Sequence, residues 1–138
     1  LGGRVLAFSA GASTSSGMDI YAYDASQNHV EPLVEDAGDD IEPVWSPISR
    51  RTLAYTKVVD DIGQLWVTRF SETGEASSTQ LTEYGGSGPQ WLPDGSGLVY
   101  EADGQIWTVD VASQLARPLL VNGEPVIGNR PVVLPLQP

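Results

Sequence analysis

The stretch "PVWSP", residues 43–47, decides how this chain is read, because it returns as "PQWLP" at 89–93 and as "PVVLP" at 131–135. Between the copies other segments recur. "RVLAFSA" (4–10), "RTLAYTK" (51–57) and "SGLVYEA" (96–102) each place a leucine two residues before an aromatic: Leu6 and Phe8, Leu53 and Tyr55, Leu98 and Tyr100. Downstream stand "DIYAYD" (19–24), "QLWVTR" (64–69) and "QIWTVD" (105–110), in which Tyr21, Trp66 and Trp107 correspond. A third set follows with a leucine near a polar turn, "VEPLVE" (30–35), "TQLTEY" (79–84) and "ARPLLV" (116–121). The unit therefore has four short segments and a period of 42 to 47 residues.

Each segment is short, rich in β-branched and aromatic residues, and bounded by Gly, Pro, Asp, Asn or Ser, which is the pattern of strands between turns. No stretch carries apolar residues at i, i+3, i+4 and i+7 over three turns, so the chain reads as all-β. Four strands at this period are the signature of propeller blades rather than of a helical solenoid. "LPDGSG" (92–97) has the composition of a tight hairpin, Pro presetting φ and Gly accepting positive φ, whereas "SPISRR" (46–51) lacks the Asp-Gly and predicts a looser one.

"PQWLPDGSGLVYEADGQIWTVD" and "PVWSP…RRTLAYT…GQLWVTRFSETGEASSTQLT" resemble the TolB-type, WD40-like propeller repeat, with blades of the form P-x-W-S-P-D-G-x-x-(I/L)-(A/V)-(F/Y), then (I/L)-(Y/W)-V-x-D, then L-T. The resemblance rests on Pro43, Trp45, Pro47, Trp66, Pro89, Trp91, Pro93, Asp94, Gly95, Trp107, Pro131, Val133 and Pro135. It implies that P-x-W is the innermost strand of a blade and the L-T segment the outermost. Arg69 departs from the family's aspartate at the end of the third strand, which Asp24 and Asp110 keep, and Val133 stands where tryptophan is usual.

On that mapping residues 1–42 hold strands two to four of one blade, 43–88 and 89–130 are full blades, and 131–138 supply a lone inner strand. This is three blades' worth, permuted by one strand. Closed propellers have four to eight blades, which leaves two expectations: a part of a longer propeller completed by flanking sequence, or half of a six-bladed ring in which each "PVVLP" completes the partner copy's first unit.

The bulk numbers restrict partners. Seven Lys and Arg against 18 Asp and Glu give a formal charge of −11. No basic cluster exists to neutralise phosphates, which argues against nucleic acid and anionic lipid. A basic peptide, a cation or a basic protein face fits better. Cysteine is absent, and no apolar run approaches the ~20 residues of a spanning helix. The 11-residue loop "SAGASTSSGMD" (9–19) is Ser/Gly-rich and is expected to be mobile.

No segment carries a catalytic signature, and none of the singled-out residues is assigned a catalytic, cofactor or metal role. His29 in "SQNHVEP" reads as an exposed turn residue. "YGGSGPQ" (84–90) fails as a nucleophile elbow at Pro89 and as a phosphate loop for want of Lys-Ser/Thr, leaving a loop that enters an inner strand. "EDAGDDIEP" (35–43), with Glu35, Asp36, Asp39, Asp40 and Glu42, reads as a solvated loop, its spacing unlike an EF-hand. Asp60 and Asp61 read as a turn, and the four tryptophans as core between blades.

The expectation is a non-catalytic protein- or peptide-binding or scaffold propeller that needs no cofactor and assembles with other blades or a second copy. The resemblance implies an extracytoplasmic setting, periplasm or cell surface. The alternative is the propeller part of a serine peptidase of the prolyl oligopeptidase type, whose catalytic domain would lie outside these residues.

Overall fold

A computed structural model describes residues 5–11 and 17–133. The described residues form strands and turns with no helix, hence none long and apolar enough to cross a membrane, and the all-β reading holds. Sheet one contains β1 (Val5–Gly11), β2 (Met18–Asp24) and β3 (His29–Val34), in that order. Sheet two contains β4 (Asp39–Trp45), β5 (Thr52–Val59), β6 (Ile62–Phe70) and β7 (Ala76–Gln80). Sheet three contains β8 (Ser87–Trp91), β9 (Gly97–Ala102), β10 (Gln105–Asp110) and β11 (Ala116–Pro118). Every pairing is antiparallel between sequence neighbours, and no sheet closes on itself.

Register shows the three sheets to be one unit repeated. Trp45 lies opposite Leu53 and Trp91 opposite Leu98; Tyr55 lies opposite Trp66, Tyr100 opposite Trp107 and Phe8 opposite Tyr21. Even the irregularity is shared. Both β4 and β8 carry a bulge, between Ile41 and Val44 and between Ser87 and Gln90, at which Glu42 (φ 57°) and Gly88 (φ 62°) turn left-handed.

Strand alternation then gives each sheet two different faces. Sheet one turns small and branched residues toward sheet two: Ala7, Ile20 and Val34 meet Leu53, Tyr55, Trp45 and Trp66. Sheet two turns its other face, Ala54, Leu65, Val67 and Leu81, to Trp91, Leu98, Tyr100 and Val109 of sheet three. A bulky aromatic face thus packs on a smooth aliphatic one at both seams. Each fully enclosed Leu, Val or Ile there contributes roughly 1.5–3 kcal/mol by leaving water. Trp91 is 7% exposed, while Trp45, Trp66 and Trp107 are half-buried at the seam edges.

The hairpins follow their turn chemistry. Leu92 to Gly95 form a turn closed by Gly95 N–H donating to Leu92 O at 2.9 Å, and Asp94 Oδ1 accepts from Ser96 N and Oγ at 3.0 and 2.7 Å. Gly95 has φ 72°, and a Cβ there would sit 2.4 Å from Ile48 Cγ1 of the preceding unit's hairpin. Asp60 and Asp61 (φ 51° and 63°) make the two-residue turn between β5 and β6.

Two regions differ from the sequence reading. The acidic run is not all solvated loop: Asp39 to Glu42 lie in β4, and Asp40 is fully buried. After β11 the chain forms a hairpin, β12 (Leu120–Val121) with β13 (Glu124–Pro125), turned by Asn122 and Gly123 at φ 53° and 80°. Asn-Gly is the strongest short-range hairpin signal, and its physical demand for two positive φ values explains the extra element. Residues beyond it run along β10, with Ile106 N donating to Val126 O and Gly128 N to Gly104 O, both at 2.9 Å. Pro131 to Val133 carry no strand, and Pro135 lies outside the described residues. Residues 12–16 of the Ser/Gly-rich loop also lie outside them.

Candidate functional site

Most of the described repeat-signature residues fall in strands or in hairpin turns. Pro89 is fully buried in β8, Pro43 half-buried in β4, and Pro47 and Pro93 sit exposed in the hairpins that follow β4 and β8. Pro131 and Val133 are half-buried. Asp24 and Asp110 close the strands they end: Asp24 Oδ1 accepts from Ser26 N at 2.8 Å, and Asp110 Oδ1 from Ser113 N at 2.7 Å. Hydrogen bonds from Ser26, and from the Ser113 backbone and hydroxyl, hold these carboxyls below the usual range. Arg69 cannot accept in this way, and in that unit Ser71 Oγ takes the Glu75 N–H at 3.0 Å.

The acidic segment builds a charged cluster at the seam of sheets one and two. Asp39 Oδ1 accepts from Met18 N at 2.8 Å, tying β4 to the start of β2. Asp40 lies one residue on, and neither of its carboxylate oxygens has a hydrogen-bond partner. Lys57 Nζ donates to Asp36 Oδ1, lies 3.8 Å from Asp40 Oδ1 and sits 4.9 Å above the Trp66 ring. Burial pushes the Asp40 carboxyl up to about 7, opposed by the Lys57 charge and reinforced by Asp36 and Asp19. Burial pulls the Lys57 ammonium down, but its bond to Asp36 and the charge of Asp40 prevail, so its pKa is raised. The cluster borders a cavity of about 410 Å³ lined by Asp19, Asp36, Asp39, Asp60 and Asp61. Among the described residues no three carboxylates or histidines converge in a way that could hold a metal ion.

The second candidate is a groove of about 600 Å³ where the loop after β7 meets sheet three. Tyr84, Tyr100, Trp107 and Leu115 wall it, Glu83 and Asp103 supply its charges, and no Lys or Arg lines it. Its walls are held by hydrogen bonds. Gln64 Oε1 accepts from Thr82 Oγ1 at 2.7 Å and from Gly85 N at 3.1 Å, while Gln64 Nε2 donates to Glu83 O at 3.2 Å. Thr82 Oγ1 in turn accepts from Leu65 N at 2.9 Å. This fixes the loop that presents Tyr84, which is 92% exposed. Opposite, Asp103 and Gly104 (φ 51° and 71°) form a two-residue turn. Burial pushes the Tyr100 hydroxyl up to about 12, so it stays neutral. A second hollow of about 460 Å³ shares Glu83, Tyr84 and Asp103 and adds Asp61 and Glu101.

Sequence reasoning missed this groove. Glu83, Tyr84 and Asp103 carry no local signal of a site, because their convergence depends on how two repeats stack. The usable signal was an unrepeated one: Tyr84 has no counterpart at the same place in the other units. His29, by contrast, stands exposed at the start of β3. No protein-family model matches this sequence, and no curated protein matches it.

Proposed function

We propose that the chain is a non-catalytic protein- or peptide-binding module made of β-propeller blades, and that the groove at Tyr84, Tyr100 and Trp107 is where it takes a basic peptide. The observation that carries the binding reading is the groove itself. It has the size of a small-ligand or side-chain pocket, aromatic walls, two carboxylates and no cation. An Arg or Lys side chain lying over a tyrosine or tryptophan face is attracted by the ring quadrupole, and nearby carboxylates add to that attraction. The formal charge of −11 draws such a partner in at long range.

The propeller reading is supported by the repeated register of the three large sheets and by each inner strand packing on the sheet before it. The family resemblance adds the expectation of an extracytoplasmic setting.

Binding is tested with short basic, neutral and acidic peptides titrated into ¹⁵N-labelled protein. Basic peptides are expected to shift the amides of Glu83, Tyr84, Asp103 and Ala116. Shifts elsewhere, or no response to any peptide, would sink the reading.

A further inference from the structure

Trp45 and Trp91 hold equivalent places in the repeat, yet only one has a hydrogen-bond partner. Trp91 Nε1 donates at 3.0 Å to the carbonyl of Val44, on the inner strand of the preceding sheet. Trp45 Nε1 is buried with no partner. The sheet preceding Trp45 is sheet one, and among the described residues it has no inner strand: β1 pairs with β2 and with no other described strand. The intact seam therefore defines what the other lacks. Among the described residues it lacks a strand beside β1 that places a carbonyl where Val44 places its own.

One described segment has the matching sequence. Pro131-Val132-Val133 repeats Pro43-Val44-Trp45 and Pro89-Gln90-Trp91, carries no secondary structure, and leaves Val132 76% exposed. It cannot serve its own β1. Gly128 is fastened to Gly104 of sheet three. The four residues from there to Val132 span at most about 14 Å, whereas packed sheets lie ~10 Å apart and sheet one is two spacings away.

We propose that residues 131–133 of a second copy add to the free edge of β1 as its inner strand, reciprocally, with the Val132 carbonyl accepting the Trp45 indole N–H. The proposal rests on the blade reading above. Register follows from the two intact units: Val132 opposite Ala7 and Val133 opposite Leu6, as Val44 is opposite Ala54 and Trp45 opposite Leu53. The faces on either side agree. Sheet one leaves Leu6, Phe8, Tyr21 and Tyr23 on the side away from sheet two, with Leu6 61% exposed and Phe8 stacked on Tyr21. This is the bulky face that in the other two sheets meets a smooth one. Sheet three leaves Gln90, Val99 and Thr108 open, the counterparts of Val44, Ala54 and Val67. Two copies joined head to tail would repeat the existing seam twice and close a ring.

Sedimentation equilibrium of the chain at micromolar concentration is expected to give about 29 kDa, twice the 14.7 kDa of one copy. Val133→Asp should weaken association at least tenfold while near-ultraviolet circular dichroism stays native. Trp45→Phe keeps an aromatic ring but removes the donor, and should also weaken association. In the wild type the Trp45 indole proton should gain exchange protection on dimerisation. A peptide of residues 128–138 added to the Val133→Asp protein should restore that protection without a second copy. A monomer at every concentration overturns the proposal, as does a dimer indifferent to Val133→Asp or a Trp45 indole whose exchange ignores association. A monomer that still binds basic peptides sinks only the assembly. A dimer that binds none sinks only the peptide-binding reading.

Discussion

The Trp91 indole donates to the Val44 carbonyl across the seam between sheets two and three, 3.0 Å from nitrogen to oxygen. It is a side chain fastened to the backbone of the preceding repeat, and it joins two units that share no strand pairing. Trp91→Phe is expected to cost about 1–2 kcal/mol from the lost bond and the stranded carbonyl, and Trp91→Ala about 3–5 kcal/mol through the added cavity. Urea unfolding followed by circular dichroism separates the two.

Stability should depend on pH through Asp40. Its folded value of about 7 lies above the ordinary 3.8, so between those values the folded state keeps a proton that the unfolded state has lost. Stability from this group is full below about pH 4, falls as pH rises toward 7, and is flat above, by at most about 4 kcal/mol. The facing groups are Lys57 and Tyr55 on β5, Asp36 before β4 and Asp19 on β2. Asp24, Asp94 and Asp110 have depressed values and act oppositely, their stabilisation being lost as pH falls. Urea midpoints across pH should thus peak near pH 4, and Asp40→Asn should flatten the alkaline side of the peak. A slope that survives Asp40→Asn would exclude this carboxyl as its source.

Lys57→Met removes the cation beside the buried Asp40. Breaking a buried pair from one side is expected to cost about 3–5 kcal/mol at pH 8, where Asp40 would otherwise ionise. Most of that loss should vanish in the Lys57→Met, Asp40→Asn double variant. Equal losses in both backgrounds would show that Lys57 acts through packing on Trp66 instead.

Gly95→Ala should destabilise by about 1–3 kcal/mol, since φ 72° disfavours a Cβ and the new atom meets Ile48. In an Ile48→Ala background the steric part disappears and the conformational part remains. A thermal melt of the four proteins measures each share.

Glu83→Gln with Asp103→Asn should lower affinity for a basic peptide about tenfold and flatten its dependence on salt. Both residues are exposed, so folding stability should change little. Calorimetric titration at two ionic strengths is the measurement, and unchanged affinity would remove charge from the account of the groove.

The amino-acid sequence determined the all-β character, most strand positions and the hairpins, because these depend on local terms. Period-two patterning, paired aromatics such as Tyr55 and Trp66, and turn residues such as Pro93-Asp94-Gly95 act over a few residues and repeat along the chain. The Asn122-Gly123 hairpin was equally local, but it fell outside the repeat and was hidden by it. Only tertiary structure decided the rest. Asp40 belongs to an acidic run that looks solvated until the β4 bulge and the packing of β2 enclose it against Lys57. Tyr84, Tyr100 and Trp107 share a groove because two repeats stack, a separation in sequence that no local pattern encodes. The unsatisfied Trp45 indole is likewise a fact of packing: Trp45 and Trp91 share the Pro-x-Trp-x-Pro context, yet among the described residues no strand beside β1 offers Trp45 the carbonyl that Val44 offers Trp91.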